Sequence, residues 1–293
     1  MKPVSMRSRV RGLSLIELLI SLVIGLVVVG AVLVSIIGSS KAGRFQSAYA
    51  GMNEDAQIGL SILSRDLQMA GYAQPTALTS SGGASPTFSL TSNTLGVGAF
   101  IFGCDTGFAN PRAANLVCGA SATPAFEVAY EADADNTVLT AGGVPSDCLG
   151  TSIPVGPPYV ARNRYFISAG ASGRPELYCA SNNAAGSAQP LIENIENMKV
   201  WYGLSVLASP TQVVRYVTAT DIAALGAVPA AAEWGQVISV RVCLLVRSAE
   251  PVLNAGDDTL TYLDCDSVAS ASNDRFLRRA YFTTASLRVR MPL

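Results

Sequence analysis

An apolar run of 25 residues, Leu13–Ile37, dominates the N-terminal part of the chain. As an α-helix at about 1.5 Å per residue it is roughly 37 Å long, which exceeds the thickness of a bilayer's hydrocarbon core, about 30 Å. Basic residues flank the run on both sides, with more before it than after it: Lys2, Arg7, Arg9 and Arg11, then Lys41 and Arg44. The run therefore predicts a membrane-spanning helix whose N-terminus lies in the cytoplasm.

Three interpretations of this helix differ in the role they give to Gly12 and Glu17. A secretory signal peptide has an apolar core of about 7–15 residues followed by a small-residue cleavage site, and this run is too long for one. A plain signal anchor explains the span but leaves both residues without a role. A carboxylate at the centre of a bilayer costs about 3 kcal/mol, less near the end of a span, and usually marks a function.

The third interpretation explains both residues. The stretch "RGLSLIELL" resembles the class III prepilin signal of type IV pilins and their secretion-system relatives. The resemblance implies cleavage after Gly12 by a prepilin peptidase on the cytoplasmic side and N-methylation of Leu13, where the family usually has phenylalanine. The apolar helix is then retained as the filament core. The positions that match the signal are Gly12, Leu13, Ser14, Leu15, Ile16 and Glu17.

In such a filament Glu17 acquires a physical role. Each subunit brings a charged N-terminal amine into a core of packed apolar helices, and Glu17 of a neighbouring subunit can pair with it. An unpaired buried charge costs about 3–5 kcal/mol, so the pair sets the axial register as well as the energy. We therefore expect Glu17 to be an assembly residue.

Composition excludes several kinds of chemistry. The chain has no histidine, so a Ser-His-Asp triad, a Cys-His dyad and histidine-containing zinc sites are unavailable. Residues 1–12 hold four of the 20 basic groups and none of the 21 acidic groups, so the remainder has a net charge of −5. An acidic body is unsuited to tracking nucleic-acid phosphates. We expect no catalytic residue, no cofactor and no metal.

The cysteines predict an oxidising compartment. Six are present, none within the apolar run and none in a C-x-x-C motif, which argues for disulfides rather than a zinc site. Six cysteines allow 15 pairings. A preference for short loops favours sequential pairing, most firmly Cys148 with Cys179. The disulfide candidates are Cys104, Cys118, Cys148, Cys179, Cys243 and Cys265.

The helix is expected to continue beyond the apolar run as an amphipathic segment. Apolar residues recur at spacings of three and four up to Gly71, which is a suitable terminator with Pro75 close behind. Charged residues, Asp66 among them, are expected mostly off this face. The face comprises Phe45, Tyr49, Met52, Ala56, Leu60, Leu63, Leu67 and Ala70.

The rest of the chain predicts β-structure. Residues 76–98 are rich in Ser, Thr and Gly and are expected to form an exposed loop. In Val237–Ser248 the alternation of apolar and polar residues indicates an antiparallel strand with one buried face. The strand-like segments are Ala125–Tyr130, Val160–Ala169, Pro175–Ala180, Ile195–Val206, Thr211–Ala219, Val237–Ser248 and Arg279–Met291. The second and third of these, and also the fourth and fifth, read as hairpins.

Two local charge clusters have a functional and a simpler interpretation. Asp133, Asp135 and Asn136 faintly resemble a calcium loop, but the loop glycine and the bidentate glutamate are missing, so a solvated turn is favoured. The second cluster, of C-terminal arginines, fits DNA capture or simply the solvated face of a strand, and the latter is favoured. Its members are Arg275, Arg278, Arg279, Arg288 and Arg290.

Five segments in succession resemble PilW-type minor pilins: 61–72, 164–179, 190–203, 234–248 and 275–292. The resemblance implies an α+β, pilin-like fold, in which a long N-terminal α-helix with a transmembrane first half packs on an antiparallel β-sheet with disulfide-linked loops. It also implies a minor pilin that primes type IV pilus assembly and lies at or near the pilus tip. The alternative is a minor, J-like pseudopilin of a type II secretion system, which has a similar fold but is typically shorter.

The expected organisation and partners follow from the same resemblance. Residues 1–12 are a basic leader, 13–37 the membrane and filament-core helix, 38–71 its amphipathic continuation, and 72–293 a periplasmic and later extracellular β-rich body. The protein is expected in the inner membrane and then at the pilus tip. Its implied partners are a prepilin peptidase, other minor pilins, the major pilin, a large tip adhesin and inner-membrane lipid. Nucleic acid is not expected as a partner, nor is enzymatic activity.

Overall fold

The computed structural model describes residues 12, 14–74, 100–181, 188–206, 211–225, 231–253 and 259–288. Leu13, most of the basic leader, the expected loop 76–98 and Arg290 lie outside these residues. The chain divides into two compact units, residues 1–47 and 48–293. The second unit contains both tryptophans, Trp201 and Trp234, so that tryptophan fluorescence reports on it alone.

Three helices and eleven strands are formed within the described residues. The helices are α1 (Leu15–Met69), α2 (Ala219–Ala224) and α3 (Ala231–Trp234). The first six strands are β1 (Ile101–Cys104), β2 (Ala125–Glu131), β3 (Val160–Ala169), β4 (Pro175–Ala180), β5 (Gln189–Glu193) and β6 (Ile195–Leu204). The remaining strands are β7 (Arg215–Val217), β8 (Val237–Arg247), β9 (Leu260–Leu263), β10 (Ala269–Ser272) and β11 (Arg278–Ser286).

The α+β class is confirmed, but the single expected sheet is wrong. The strands form three antiparallel sheets: a five-stranded sheet in the order β1-β2-β3-β4-β5, a four-stranded sheet in the order β11-β8-β6-β7, and the hairpin β9-β10. The expected hairpin of β3 with β4 is confirmed, with Ile167 opposite Leu177. The other expected hairpin is confirmed only over the three residue pairs that join β6 to β7.

One residue separates the two larger sheets. Asn194 lies between β5 and β6 with φ of 64°, a left-handed conformation that asparagine tolerates better than most residues. Its side-chain amide lies 3.4 Å from Asp55 Oδ2 on α1, and its carbonyl accepts a hydrogen bond from the Arg247 amide at 2.9 Å. This residue redirects the chain from one sheet to the next.

The amphipathic part of α1 covers both larger sheets. Met52, Ala56, Leu63 and Leu67 are buried, as the apolar spacing predicts. Gly59 is buried among them because the helix approaches the sheets closely there. A Cβ at this position would lie 3.0 Å from the Leu244 side chain in β8 and 4.0 Å from the Leu177 side chain in β4. Three members of the predicted face are not fully buried: Phe45 and Leu60 are half-buried, and Tyr49 is exposed.

The predicted end of the helix is confirmed. Gly71 has φ of 79°, and its amide donates a hydrogen bond to the Ala129 carbonyl in β2 at 2.9 Å. Only glycine adopts this conformation without strain. A Cβ at Gly71 would also meet the Phe100 ring at 2.4 Å, so the turn fixes both the backbone and the packing.

Asp66, expected off the apolar face, is half-buried. This carboxylate lies against the five-stranded sheet and accepts hydrogen bonds from Tyr165 Oη at 2.5 Å, Asn163 Nδ2 at 2.6 Å and Tyr130 Oη at 3.3 Å. Asn163 Oδ1 in turn accepts a hydrogen bond from the Cys148 amide. A polar network therefore joins the helix, β2, β3 and the loop before β3, where spacing alone indicated a solvated side chain.

Burial raises the pKa of Asp66, outweighing the opposing effects of its three donors and of nearby Arg65. The folded state therefore binds the Asp66 proton more tightly than the unfolded state, in which the pKa is about 3.9. This contribution to stability is fully present below that pH and is lost as the pH rises through the folded-state pKa.

The test compares the unfolding free energy of the wild type with that of Asp66→Asn. We expect the wild-type value minus the variant value to fall as the pH rises above about 4. The slope is at most about 1.4 kcal/mol per pH unit, and it levels off above the folded-state pKa. Urea titrations of the full chain in detergent micelles, followed by tryptophan fluorescence between pH 4 and 7, measure it. A difference that stays constant or rises with pH contradicts the prediction.

The central strand β8 is buried on both faces rather than on one. Val240, Val242, Leu244 and Val246 point to the predicted buried face. On the other face Cys243 and Leu245 are also buried, since the β9-β10 hairpin folds over them and is joined by the Cys243–Cys265 disulfide. Arg278 of β11 adds ion pairs to Glu196 and Asp274 at the same place.

A buried ion pair lies on the five-stranded sheet. Glu127 in β2 and Arg164 in β3 are opposite each other in the register and are 4% and 1% exposed. Arg164 Nε donates to Glu127 Oε2 at 2.5 Å, and its Nη1 donates to the Pro111 carbonyl at 2.8 Å. The segment closed by the Cys104–Cys118 disulfide supplies that carbonyl. The pair therefore fixes both the β2-β3 register and the position of this segment.

Candidate functional site

The candidate site is the start of α1, where the prepilin-like residues lie. Gly12 and Ser14 precede the helix, and the Ser14 carbonyl accepts the first helical hydrogen bond, from the Leu18 amide at 3.1 Å. Serine is a favoured residue at this helix-capping position. Glu17 lies in the first turn, where a negative charge interacts favourably with the helix dipole. The helix thus begins two residues after the predicted cleavage point.

Glu17 is exposed and makes no hydrogen bond or ion pair with any residue that the structure describes. It is the only charged residue between positions 13 and 37. Every large aliphatic side chain from Leu15 to Ile37 is between 49% and 79% exposed. The carboxylate is therefore a single acceptor on an otherwise apolar cylinder, and an apolar surrounding would leave it in need of a cation.

The apolar part of α1 meets the requirements of a membrane span. It is long and apolar enough to cross a bilayer, although a signal sequence would pass the same test. Two of its hydroxyl groups are satisfied within the helix: Ser21 Oγ donates to the Leu18 carbonyl at 2.9 Å, and Ser40 Oγ donates to the Ile37 carbonyl at 3.0 Å. Internal hydrogen bonding of this kind is what a hydrocarbon surrounding demands.

The six predicted cysteines all form disulfides, in sequential pairs. Cys104 is joined to Cys118, Cys148 to Cys179, and Cys243 to Cys265, with sequence separations of 14, 31 and 22 residues. Each bridge fastens a loop to a strand of the body, and a loop of about 15 residues gains about 3 kcal/mol from such closure. Their role is to hold the body together, far along the chain from the start of α1.

Three of the C-terminal arginines that the structure describes have separate partners. Arg278 is paired with Glu196 and Asp274, and its hydrogen bonds hold the pKa of Asp274 well below its usual range. Arg279 stacks over the Tyr281 ring at 5.4 Å from its centroid, and Arg288 donates to Gln68 Oε1 at 3.1 Å. Two carboxylates therefore neutralise the central member of the group.

The acidic turn is held together by its own hydrogen bonds. Asp133 Oδ1 accepts from the amides of Asp135 and Asn136 at 2.9 and 3.0 Å, and Oδ2 accepts from Tyr72 Oη at 3.1 Å. Within the described ranges no group of three potential ligands among His, Cys, Asp and Glu is placed to hold a metal ion. Asp133 thus organises the turn that follows β2.

Two protein-family models match segments of this chain, and one of them covers the start of α1. Residues 7–33 match the prokaryotic N-terminal methylation motif, which spans Gly12, Glu17 and the first part of the apolar run. Residues 164–289 match the family described as type IV pilus-assembly protein W, PilW. No curated protein sequence matches the chain. Among solved structures a type IV-like pilin from Thermus thermophilus is similar, with 14% identity, a TM-score of 0.36, and coverage of 82% of this chain and 98% of that one.

The apolar N-terminal helix and the methylation motif define a type IV pilin-like protein with a prepilin-like N-terminus, and they indicate membrane anchoring. The match at residues 164–289 indicates which kind of type IV pilin-like protein the chain resembles. Over residues 164–289 the chain is similar to the PilW family of type IV pilus-assembly proteins, and together with the methylation motif this supports a PilW-type type IV pilin. The similarity to pilins points to other pilins as its partners.

Proposed function

We propose that the protein is a minor pilin that primes type IV pilus assembly and is incorporated at or near the pilus tip with other minor pilins. Cleavage after Gly12 and N-methylation of Leu13 precede assembly. The observation that carries the proposal is the exposed apolar part of α1, Leu15–Ile37, in which Glu17 is the only charged residue. This arrangement requires a charged partner from outside the chain. The protein acts through binding, without catalytic turnover.

After cleavage, the new N-terminus at Leu13 becomes the group that a neighbouring subunit recognises during assembly. Cleavage creates an α-amino group at Leu13, with a pKa of about 7.7–8.0 in model peptides, and methylation preserves its positive charge. In the bilayer this cation lies near the interface. When helices pack into a filament it enters an apolar core, where pairing with Glu17 of a neighbouring subunit avoids about 3–5 kcal/mol of unpaired charge. A subunit out of register gains no such pair.

The proposed topology follows the flanking charges. Residues 1–12 lie in the cytoplasm, 13–37 span the inner membrane, 38–71 continue the helix, and 72–293 form a periplasmic body that reaches the cell surface on the pilus. That body of 222 residues is too large to repeat smoothly along a thin fibre, which supports a place at the tip. Its partners are the prepilin peptidase, the other minor pilins, the major pilin and a large tip adhesin.

Processing is the first test of the proposal. We expect the intact mass and the N-terminal sequence of membrane-extracted wild-type protein to show a chain that begins at methylated Leu13. In Gly12→Leu the peptidase cannot accept the new side chain, so the full leader remains. Gly25→Leu is the matched control, because a Cβ at Gly25 meets nothing within 4 Å and the cleavage site is untouched. A wild-type protein that begins at Met1, or near Ala42, contradicts the proposal.

A deletion strain separates pilus assembly from secretion. The PilW match supports the pilus over a type II secretion pseudopilin. We expect the strain to lose surface pili and to retain type II secretion of exported enzymes. Loss of secretion with normal pili would favour the pseudopilin.

A further inference from the structure

A cavity lies beside the last turns of α1, within the second unit. Its volume is about 370 Å³. Ile62 and Met69 of α1 line one side, Tyr130 and Tyr165 of the five-stranded sheet form the opposite wall, and the segment 136–150 closes a third side. Small-molecule sites begin at about 300 Å³, so the cavity accommodates a small organic group.

The Asp66 carboxylate lines this cavity and retains acceptor capacity. Oδ2 receives two short hydrogen bonds, from Asn163 and Tyr165, whereas Oδ1 receives only the 3.3 Å contact from Tyr130. An ionised carboxylate offers about four acceptor positions on its two oxygens. No lysine or arginine of the described residues forms an ion pair with Asp66.

The remaining wall groups favour a cation. Asp147 lines the cavity and adds negative charge, although the amides of Leu149 and Thr151 and the Thr151 hydroxyl occupy its oxygens. Tyr130 and Tyr165 are 4% and 0% exposed, so their rings border the cavity but leave almost no surface for contact with a ligand. Arg65 is the one opposing charge among the lining residues, and its guanidinium is directed to the Asn136 carbonyl at 3.4 Å.

We propose that this cavity binds an organic cation, an alkylammonium or guanidinium group, through a charge-assisted hydrogen bond to Asp66. The apolar side chains of Ile62 and Met69 contact the alkyl part, while the negative charge of Asp147 favours the cation. A bond of this kind is roughly twice as strong as one between neutral groups. The cation comes either from a free amine or from a basic side chain of another subunit.

Binding depends on pH through the groups that face Asp66. These are Arg65 on the same helix, Tyr130 in β2, Tyr165 in β3 and Asp147 in the loop. Both tyrosines stay protonated, because burial raises their pKa values further above 10. Protonation of Asp66 removes the charge that the cation needs, so affinity declines as the pH falls through its folded-state pKa.

Calorimetry on the full chain in detergent micelles tests the proposal, with n-butylamine as the ligand and butan-1-ol as its neutral counterpart. At pH 7.5 we expect a dissociation constant of about 1–10 mM for the amine, reasonable for a ligand of about five heavy atoms. The alcohol should not bind. Affinity should fall by about tenfold or more in Asp66→Asn, since that variant loses the charge-assisted bond. It should be unchanged in Glu54→Gln, a matched loss of charge on the exposed side of the same helix.

A second pair of variants keeps the test decisive if Asp66→Asn fails to fold. Val138 lines the cavity but is 76% exposed, so Val138→Arg places a cation at its mouth without disturbing the core. We expect Val138→Arg to abolish amine binding and Val138→Leu to preserve it. Absence of amine binding to the wild type, or equal binding by all variants, overturns the proposal.

The amount of each variant in pili sheared from cells distinguishes the two sources of the cation. This experiment, unlike the calorimetry, rests on the proposed function. If another subunit supplies the cation, the amount of Asp66→Asn protein in pili falls about tenfold while Glu54→Gln stays at the wild-type amount. If a free amine supplies it, Asp66→Asn enters pili normally and has lost only n-butylamine binding. Both outcomes presuppose the calorimetric result, which is independent of pilus assembly.

Discussion

Replacing Glu17 with alanine is expected to reduce the amount of this protein in sheared pili by about tenfold or more, while its amount in the membrane is unchanged. The reason is the N-terminal amine at Leu13, which in the proposed assembly each subunit would carry into the apolar core after cleavage. Without the carboxylate that charge has no partner, and about 3–5 kcal/mol is lost at each contact. Membrane insertion depends on the apolar run and should not suffer.

Two further variants show whether the charge itself matters. Glu17→Gln keeps the shape and the acceptor but not the charge, and we expect it to fall close to Glu17→Ala. Ser21→Ala is the matched control one turn later, since its hydroxyl bonds only the Leu18 carbonyl of its own helix. Quantitative immunoblots of sheared pili and of membranes give the ratio. Wild-type incorporation of Glu17→Ala would rule out the pairing.

Replacing Glu127 with alanine is expected to lower the unfolding free energy of the body by about 3–5 kcal/mol. Arg164 would remain at 1% exposure with no carboxylate, and Arg162, whose Nη1 lies 3.9 Å from Glu127 Oε1, would lose the same partner. Burial already lowers the pKa of Arg162. Because water can hardly reach the Arg164 guanidinium, the cost is much larger than the net strength of the pair.

Urea denaturation of the full chain in micelles, followed by the fluorescence of Trp201 and Trp234, measures this loss. Lys199→Ala is the control, since the Lys199–Asp266 pair is 30% and 49% exposed and such pairs contribute at most about 1 kcal/mol. The double variant Glu127→Leu with Arg164→Met should recover most of the stability, because it leaves no buried charge. If Glu127→Ala costs no more than Lys199→Ala, the buried pair is unimportant.

Much of this fold could be predicted because it depends on residues that are close together in the sequence. The apolar face of α1, its end at Gly71 and the alternation in β8 depend on residues close together in the chain, and periodicity reports on such residues directly. The sequential disulfides follow from short loops. The prepilin-like signal is local as well, so its three functional positions, Gly12, Leu13 and Glu17, could be proposed without a structure.

The division into sheets was not predictable, because it depends on contacts between distant residues. Asn194 turns the chain out of one sheet and into another, yet in sequence it stands between two strands that could have been one. The second face of β8 is buried only because a hairpin more than ten residues later folds over Cys243 and Leu245. Periodicity identifies the face of a strand but not what covers it.

The sequence by itself determined the candidate site at the start of α1, because a prepilin-like motif, an apolar run long enough to span a membrane and a single charge within that run are properties of consecutive residues. The burial and the hydrogen bonding of Asp66 and Glu127 were decided only by the tertiary structure. Glu127 is buried and Asp66 is half-buried because donors from β3 reach them. A carboxylate is buried where distant hydrogen-bond donors compensate its desolvation, and their positions are set only when the chain has folded.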